Sequence, residues 1–329
     1  MSTKQKILAL LEKYRGRNIS GEEIAKALNI SRTAVWKAVN ALKNDGHNIS
    51  SAISRGYTIS DTDNILSTAA MLPYLRDQSL EPKIHIHKSL ESTSKTAKEM
   101  ALAGCEHGTV IIANTQTDGK GRYGRSFYSP PESGLYMSFV LRPKSLNMAD
   151  ATLVTAAAAV SVCKAIYKVT GKETKIKWIN DILFNDKKVC GILTEAVTNI
   201  ESGNVDWIIV GIGVNVTTDS FPKEVENVAT SLFIDESYGR ARIRLASEII
   251  NIFLSAKGWI CDEKTRKEYK NRSTLLNKTV TVNEQNESYE ATVLDIDEHC
   301  RLVVEKSNGA VKALSSGEVS VKTKRLILC

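Results

Sequence analysis

The sequence predicts an α+β protein in three parts: an N-terminal winged helix-turn-helix, a central mixed sheet with helices on one side, and a small C-terminal β-barrel of SH3-like size. Charge is the first reason. Residues 1–60 hold ten Lys/Arg against four acids, +6 of the chain's +7, so a small basic module sits on a nearly neutral body and calls for a polyanion partner of its own. The second is that the central segments predicted as strands follow one another through hairpins more often than through crossover helices. The third is a change at Leu276 to five short alternating segments. The expected domains are 1–62, 63–272 and 273–329.

In the basic module Ile7, Leu8, Leu11 and Tyr14 recur at helical spacing, and Ile24, Ala25 and Leu28 do so after Ser20, an N-cap with Glu23 three residues on. A third helix starts at Ser31, with Val35, Ala38, Val39 and Leu42 as its core stripe. Only Asn29–Ile30 separates the second helix from the third, the short turn of a helix-turn-helix. NISSAISRGYTIS then reads as a hairpin wing around Arg55-Gly56. That arrangement turns Arg32, Thr33, Trp36, Lys37 and Asn40 toward a major groove and puts Arg55 at a phosphate or in the minor groove. The alternative is a protein-binding winged helix whose charges are solvated.

In the central part, helix is expected over Ile65–Leu80, Ser92–Leu102, Ala149–Val169 and Ile243–Tyr269. Strands are expected at KIHIHKSL, GTVIIANTQ, GLYMSFVLRP, ETKIKWIND, Val189–Val197 and 205–216, with Asn185-Asp186 as a hairpin turn. His85 and His87 share one strand face, but no third His or Cys ligand lies nearby, so a packed or solvent-facing pair outweighs a metal site. The uncharged stretch Ala151–Cys163 is too short to span a membrane, and Glu12 and Lys13 spoil a secretory leader. Six scattered cysteines without a CxxC suit reduced thiols in a cytoplasm.

The most unusual stretch is TDGKGRYGRSFYSP, residues 117–130, where Lys120, Arg122 and Arg125 alternate with Gly119, Gly121 and Gly124. Such a loop repels itself unless an anion neutralises it, and its free N–H groups can cradle phosphate oxygens; a solvated basic loop is the plainer reading. It is neither a Walker A loop nor a dinucleotide fingerprint. Gly211 and Gly213 inside an apolar strand suggest close approach of a flat ligand or another backbone, or else tight core packing.

Together ESTS (91–94), QTDGKGRYGRSFYSP (116–130), KWIND (177–181), KKVCGILTE (187–195), GIGVNV (211–216) and SGEVSVK (316–322) resemble the biotin protein ligase family in its bifunctional, transcription-repressing form. The resemblance spans essentially the whole chain. It implies a class II synthetase-like catalytic domain that forms biotinyl-5′-AMP from biotin and ATP with Mg2+, then passes biotin to a lysine of a biotin carboxyl carrier domain. It also implies operator DNA as a partner, and a homodimer that is not membrane-bound.

Carried over by position, Ser92, Thr93, Ser94 and Gln116 would hold biotin, and Lys120, Gly121 and Arg122 would close over biotin and phosphate. Arg125 would meet the phosphates, Lys188 the carboxylate and adenylate oxygens, Asn215 the adenine edge beside Gly211 and Gly213, and Asp181 magnesium or the incoming lysine. Arg122, Lys188 and Asp181 are the expected catalytic groups. Ser94, Lys120 and Ile179 stand where the family generally has Asn, Arg and Pro. Lysine keeps the charge of arginine without its bidentate geometry, and Ile179 should leave the Asn180–Asp181 turn less rigid. The competing readings are a biotin-sensing regulator without ligase chemistry, a ligase whose winged helix does not bind DNA, and a lipoate or octanoyl transferase of related fold.

Overall fold

Apolar repeats at helical spacing and three serine caps build the N-terminal module. The computed structural model describes residues 2–52, 55–143, 150–198, 205–233, 240–255, 258–284 and 287–321. Helix α1 (Thr3–Lys13) is capped by Ser2, α2 (Gly21–Leu28) by a Ser20–Glu23 box and α3 (Arg32–Asn44) by Ser31. Ile7, Leu11, Ile24, Val35, Val39 and Leu42 close into one core. Strands β1 (Ile49–Ala52) and β2 (Gly56–Ile59) pair antiparallel as the wing, whose residues 53–54 lie outside the described residues. Gly56 has φ +86°, and a Cβ there would collide with the Ile19 carbonyl.

The central sheet contains β3 (Ile84–His87), β4 (Thr109–Ala113), β5 (Gly134–Leu141), β6 (Lys175–Lys177), β7 (Asp181–Phe184), β8 (Lys187–Thr198) and β9 (Val205–Asn215). Their order is β3-β4-β5-β9-β8-β7-β6, and only β3 and β4 run parallel. Helices α4 (Thr68–Met71), α5 (Thr93–Leu102), α6 (Ala151–Thr170), α7 (Ala241–Phe253) and α8 (Glu263–Asn271) complete this part.

The period-2 alternation of the strands sorts the helices onto two faces, which corrects the expectation of helices on one side. Val110, Ile112, Phe139, Ile208 and Val210 share a core with α6 and α7, while Ile111, Val140, Trp207 and Ile209 pack on Ala97 and Ala101 of α5. Helix α5 covers only part of that second face. Along β9 the same face continues from Trp207 and Ile209 to Gly211 and Gly213, paired with Leu193 and Gly191 of β8.

Two expected helices divide. The 65–80 region forms the single α turn of α4 followed by 3-10 segments at Leu72–Tyr74 and Gln78–Lys83, with Pro73 where the α turn gives way to the first of them. The 243–269 region forms α7 and α8 as separate helices. Helix α6 reaches 20 residues, long and apolar enough by composition to cross a membrane, yet 12 of its residues are buried inside the fold. Residue 149, its expected start, lies outside the described residues.

The C-terminal part is an antiparallel sheet of β10 (Thr279–Glu284), β11 (Glu287–Ile296), β12 (Leu302–Lys306), β13 (Val311–Leu314) and β14 (Glu318–Val321) in the order β13-β12-β11-β10-β14. Val280, Val293, Leu302 and Val304 of this sheet share the apolar core of the central part. Residues 322–329, including Lys322 and Cys329, lie outside the described residues.

Candidate active site

Where α5 stops covering the sheet, a cavity of about 650 Å³ opens against glycines 191, 211 and 213. Ser92, Thr93, Ser94, Gln116, Lys120, Gly121, Arg122, Arg125, Asp181, Lys188, Gly211 and Gly213 all line it. The fold therefore brings together residues spread over more than a hundred positions of sequence.

One wall is an uncharged hydrogen-bond relay at the start of α5. The Thr93 N–H and hydroxyl both donate to Gln116 Oε1, at 2.8 and 3.1 Å. Gln116 Nε2 donates to Ser129 Oγ at 3.0 Å, and Ser138 Oγ donates to Thr93 Oγ1 at 2.8 Å. Ser94 Oγ lies 3.1 Å from Ser138 Oγ and fills the space above Gly211, where a Cβ would come within 2.5 Å of it. Fixed donors and acceptors of this kind suit a neutral polar ligand group.

The opposite wall is charged. Gly119 accepts from the Phe127 N–H at 2.8 Å and Arg125 accepts from the Gly121 N–H at 2.7 Å, folding the basic loop into a small hairpin with Tyr123 and Gly124 at φ 56° and 73°. Arg122 Nη1 donates to Asn180 Oδ1 at 3.2 Å and Nη2 to the Gly317 carbonyl at 3.4 Å. Lys188 Nζ stands 2.7 Å from Asp181 Oδ1, a close ion pair outside hydrogen-bond angles, so that buried oxygen keeps no hydrogen-bond partner. Lys120 pairs with Asp118 and Arg125 with Glu318, at 2.6 and 2.7 Å.

Three placements depart from expectation. The flat group over Gly213 is the Phe127 ring, where a Cβ would come within 2.6 Å, and Phe127 also borders Gly191. Asn215 is 5% exposed and outside the cavity lining; its Nδ2 donates to the Thr230 carbonyl at 3.2 Å, tying β9 to the following segment. The Asn180 turn is held despite Ile179: Asn180 Nδ2 donates to the Ile192 carbonyl at 2.8 Å, the Ile192 N–H donates back at 3.0 Å, and Tyr269 donates to the Ile179 carbonyl. Sequence reasoning missed Phe127, Asn180 and Tyr123 as lining groups, although all three stand inside motifs it had singled out.

Among the described residues no group of three His, Cys, Asp or Glu could hold a metal ion, and this includes His85 and His87. In the winged helix Arg32, Thr33 and Lys37 of α3 are exposed, Trp36 is 56% exposed, Asn40 is half-buried and Arg55 is exposed on the wing.

Comparison with known proteins bears on this geometry. Residues 86–215 match the Biotin/lipoate A/B protein ligase family, 3–58 an HTH domain, and 275–322 the Biotin protein ligase C terminal domain. The bifunctional ligase/repressor BirA of Bacillus subtilis is 36% identical over 271 residues, 82% of this chain and 80% of that protein. The chain belongs to the bifunctional biotin protein ligase family. The Escherichia coli bifunctional ligase/repressor BirA is 24% identical over 97% of both chains. Among solved structures, the biotin protein ligase from Aquifex aeolicus in complex with biotin and ATP superposes with a TM-score of 0.58 at 27% identity, over 73% of this chain and 98% of that one. The cavity between α5 and the Asn180 turn is thus the candidate active site of a biotin protein ligase.

Proposed function

We propose that this chain is an ATP-dependent, AMP-forming biotin protein ligase that also represses transcription in response to biotin, in the cytoplasm, with domains at 1–62, 63–272 and 273–329. The observation that supports the ligase half most strongly is one cavity shared by Arg122, Lys188 and Asp181 on one side and the Thr93–Gln116 relay on the other. A neutral ureido ring meets the relay. The carboxylate and phosphates meet the cations.

In the first step a biotin carboxylate oxygen attacks the α-phosphorus of ATP, the bond to the β-phosphate breaks, and pyrophosphate leaves with the electron pair. Arg122 and Lys188 stabilise the charge gathering on the α-phosphoryl oxygens, with Asn180 holding the Arg122 guanidinium at 3.2 Å. Arg125 exchanges Glu318 for phosphate as the nucleotide arrives, and Lys120 and Gly121 close over the acyl-phosphate. Asn215, which faces Thr230, receives no adenine role in this scheme.

In the second step the ε-amine of an acceptor lysine attacks the acyl carbon and AMP leaves. When the adenylate takes the Lys188 ammonium, Asp181 is released from its 2.7 Å ion pair. Its carboxylate then holds the incoming ammonium and accepts the proton that leaves it. Magnesium would come with the nucleotide, and Asp181, a carboxylate lining the cavity, is the group that would meet it; bound there it would neutralise phosphate charge. The acceptor is a biotin carboxyl carrier domain of a biotin-dependent carboxylase.

The exposed row Arg32, Thr33, Trp36 and Lys37 supports operator binding. A homodimer supplies the second winged helix that a two-half-site operator needs. Pyrophosphate exchange tests the ligase half: label moves from pyrophosphate into ATP only when biotin is present, and no biotin-dependent exchange overturns it. Operator binding by the intact protein, with and without biotin plus ATP at fixed salt, tests the repressor half. Undetectable binding in both conditions leaves a ligase whose winged helix serves another purpose.

A further inference from the structure

Five cysteines fall among the described residues, all as free thiols, and two of them meet across the boundary between the central part and the C-terminal sheet. Cys261, in the link between α7 and α8, and Cys300, in the turn between β11 and β12, have their Sγ atoms 4.0 Å apart. We infer that Cys261 and Cys300 form a redox modification site, a dithiol that a peroxide closes to a disulfide stapling the C-terminal sheet to the body behind the active site.

The local structure holds each sulfur in place. The Cys300 carbonyl accepts from Trp178 Nε1 at 2.9 Å, and the Cys300 N–H donates to the Asp297 carbonyl at 2.9 Å. The Cys261 carbonyl accepts from Arg266 Nη1 at 2.7 Å. Trp178 in turn lines the cavity two residues before Asn180, so the pair lies directly behind the candidate active site. Closing the bond needs the sulfurs to approach by about 2 Å, within reach of side-chain rotation and a small backbone adjustment. Once formed, it cross-links 39 positions of sequence and removes conformational freedom from the unfolded chain.

The two thiols differ in access. Cys261 is 6% exposed but lies between Ile260 and Asp262, both exposed, whereas Cys300 is fully buried. Contact with Cys261 and burial push the Cys300 thiol well up, and the greater access of Cys261 makes it the sulfur that meets oxidant first. Hydrogen peroxide oxidises Cys261 to the sulfenic acid and releases one water. The Cys300 sulfur then displaces hydroxide from the sulfenic sulfur, its proton completing the second water. Two thiols and one peroxide thus give one disulfide and two waters.

The test is peroxide treatment of the native full-length protein, quenching by alkylation in denaturant, and peptide mapping without reductant. The expected result is a Cys261–Cys300 cross-linked peptide, a loss of two alkylatable thiols per chain, and a melting temperature raised by about 5 °C that dithiothreitol reverses. C261A and C300A each show neither the cross-link nor the shift. Because the wild-type mapping stands alone, misfolding of either variant leaves the test intact. Retention of both thiols, a cross-link between other cysteines, or stepwise oxidation of Cys261 to the sulfonic acid without a disulfide overturns the proposal.

Discussion

Glu12 of α1 and Arg240, which opens α7, form an ion pair of 2.9 Å with side-chain exposures of 1% and 7%, and this contact anchors the winged helix to the catalytic part. Arg15 adds a second cation to Glu12 at 2.7 Å, and Arg240 also donates to the Ala70 carbonyl and lies over the Tyr74 ring. Removing one member of a buried pair leaves the other charge uncompensated, which typically costs 3–5 kcal/mol. Glu12→Gln should therefore lower the unfolding free energy of the full chain by about 3 kcal/mol, read from urea transitions, while biotin-dependent pyrophosphate exchange persists. An unchanged transition would remove this contact from the account of how the parts are joined.

Beside it, Asp63 predicts an acid-sensitive joint. Burial alone would push its carboxyl up, but the His47 ring at 3.1 Å, the Asn48 N–H and Arg15 outweigh burial and hold it below the ordinary carboxylate value. A value lowered in the folded state means that the stabilisation is complete above the unfolded carboxylate value, near 4, and is lost as pH falls below it. Asp63→Asn should flatten the acid side of the stability profile, measured by urea unfolding between about pH 3 and 6. A parallel profile in the variant would contradict the assignment.

Arg122→Ala and Lys188→Ala should each cost on the order of 3 kcal/mol in adenylate formation, comparable with losing one preorganised donor to a developing oxyanion. Single-turnover kinetics of adenylate formation, followed by transfer to the carrier domain, separates the two steps. Wild-type rates of both steps in either variant would sink the placement of these cations.

On the winged helix, Lys37→Ala should weaken operator binding across all sequences and lower the salt slope by about 1 if Lys37 touches phosphate. Relaxed sequence preference at unchanged slope would put it on a base instead. Titration of operator DNA at several salt concentrations gives both quantities.

Much of this was legible because local chemistry and fold agree. Ser20 and Glu23 cap α2, Asn185-Asp186 turns β7 into β8 with both residues at positive φ, and the five expected C-terminal segments each form a strand of one sheet. The rest depended on pairings that spacing does not encode. Whether α5 lies on the same face as α6 is decided by the register of β4, β5 and β9, which puts Ile111, Val140 and Ile209 opposite to Val110, Phe139 and Ile208. Gly211 and Gly213 suggest close approach of a flat ligand or another backbone, yet only the folded chain shows the Phe127 ring over Gly213 and the Ser94 hydroxyl over Gly211. Asn215 shares the strand face of Gly211 and Gly213, but its side chain is engaged by the Thr230 carbonyl and lies outside the cavity lining.

The most direct test of the central claim is transfer itself: the intact protein with labelled biotin, ATP, magnesium and a purified biotin carboxyl carrier domain, followed by mass analysis of the acceptor. The expected result is one biotin on a single acceptor lysine, with AMP and pyrophosphate formed in equal amounts and strict dependence on ATP. Tight binding of biotin with neither adenylate nor biotinylated acceptor would contradict it and leave a biotin-sensing regulator without ligase chemistry.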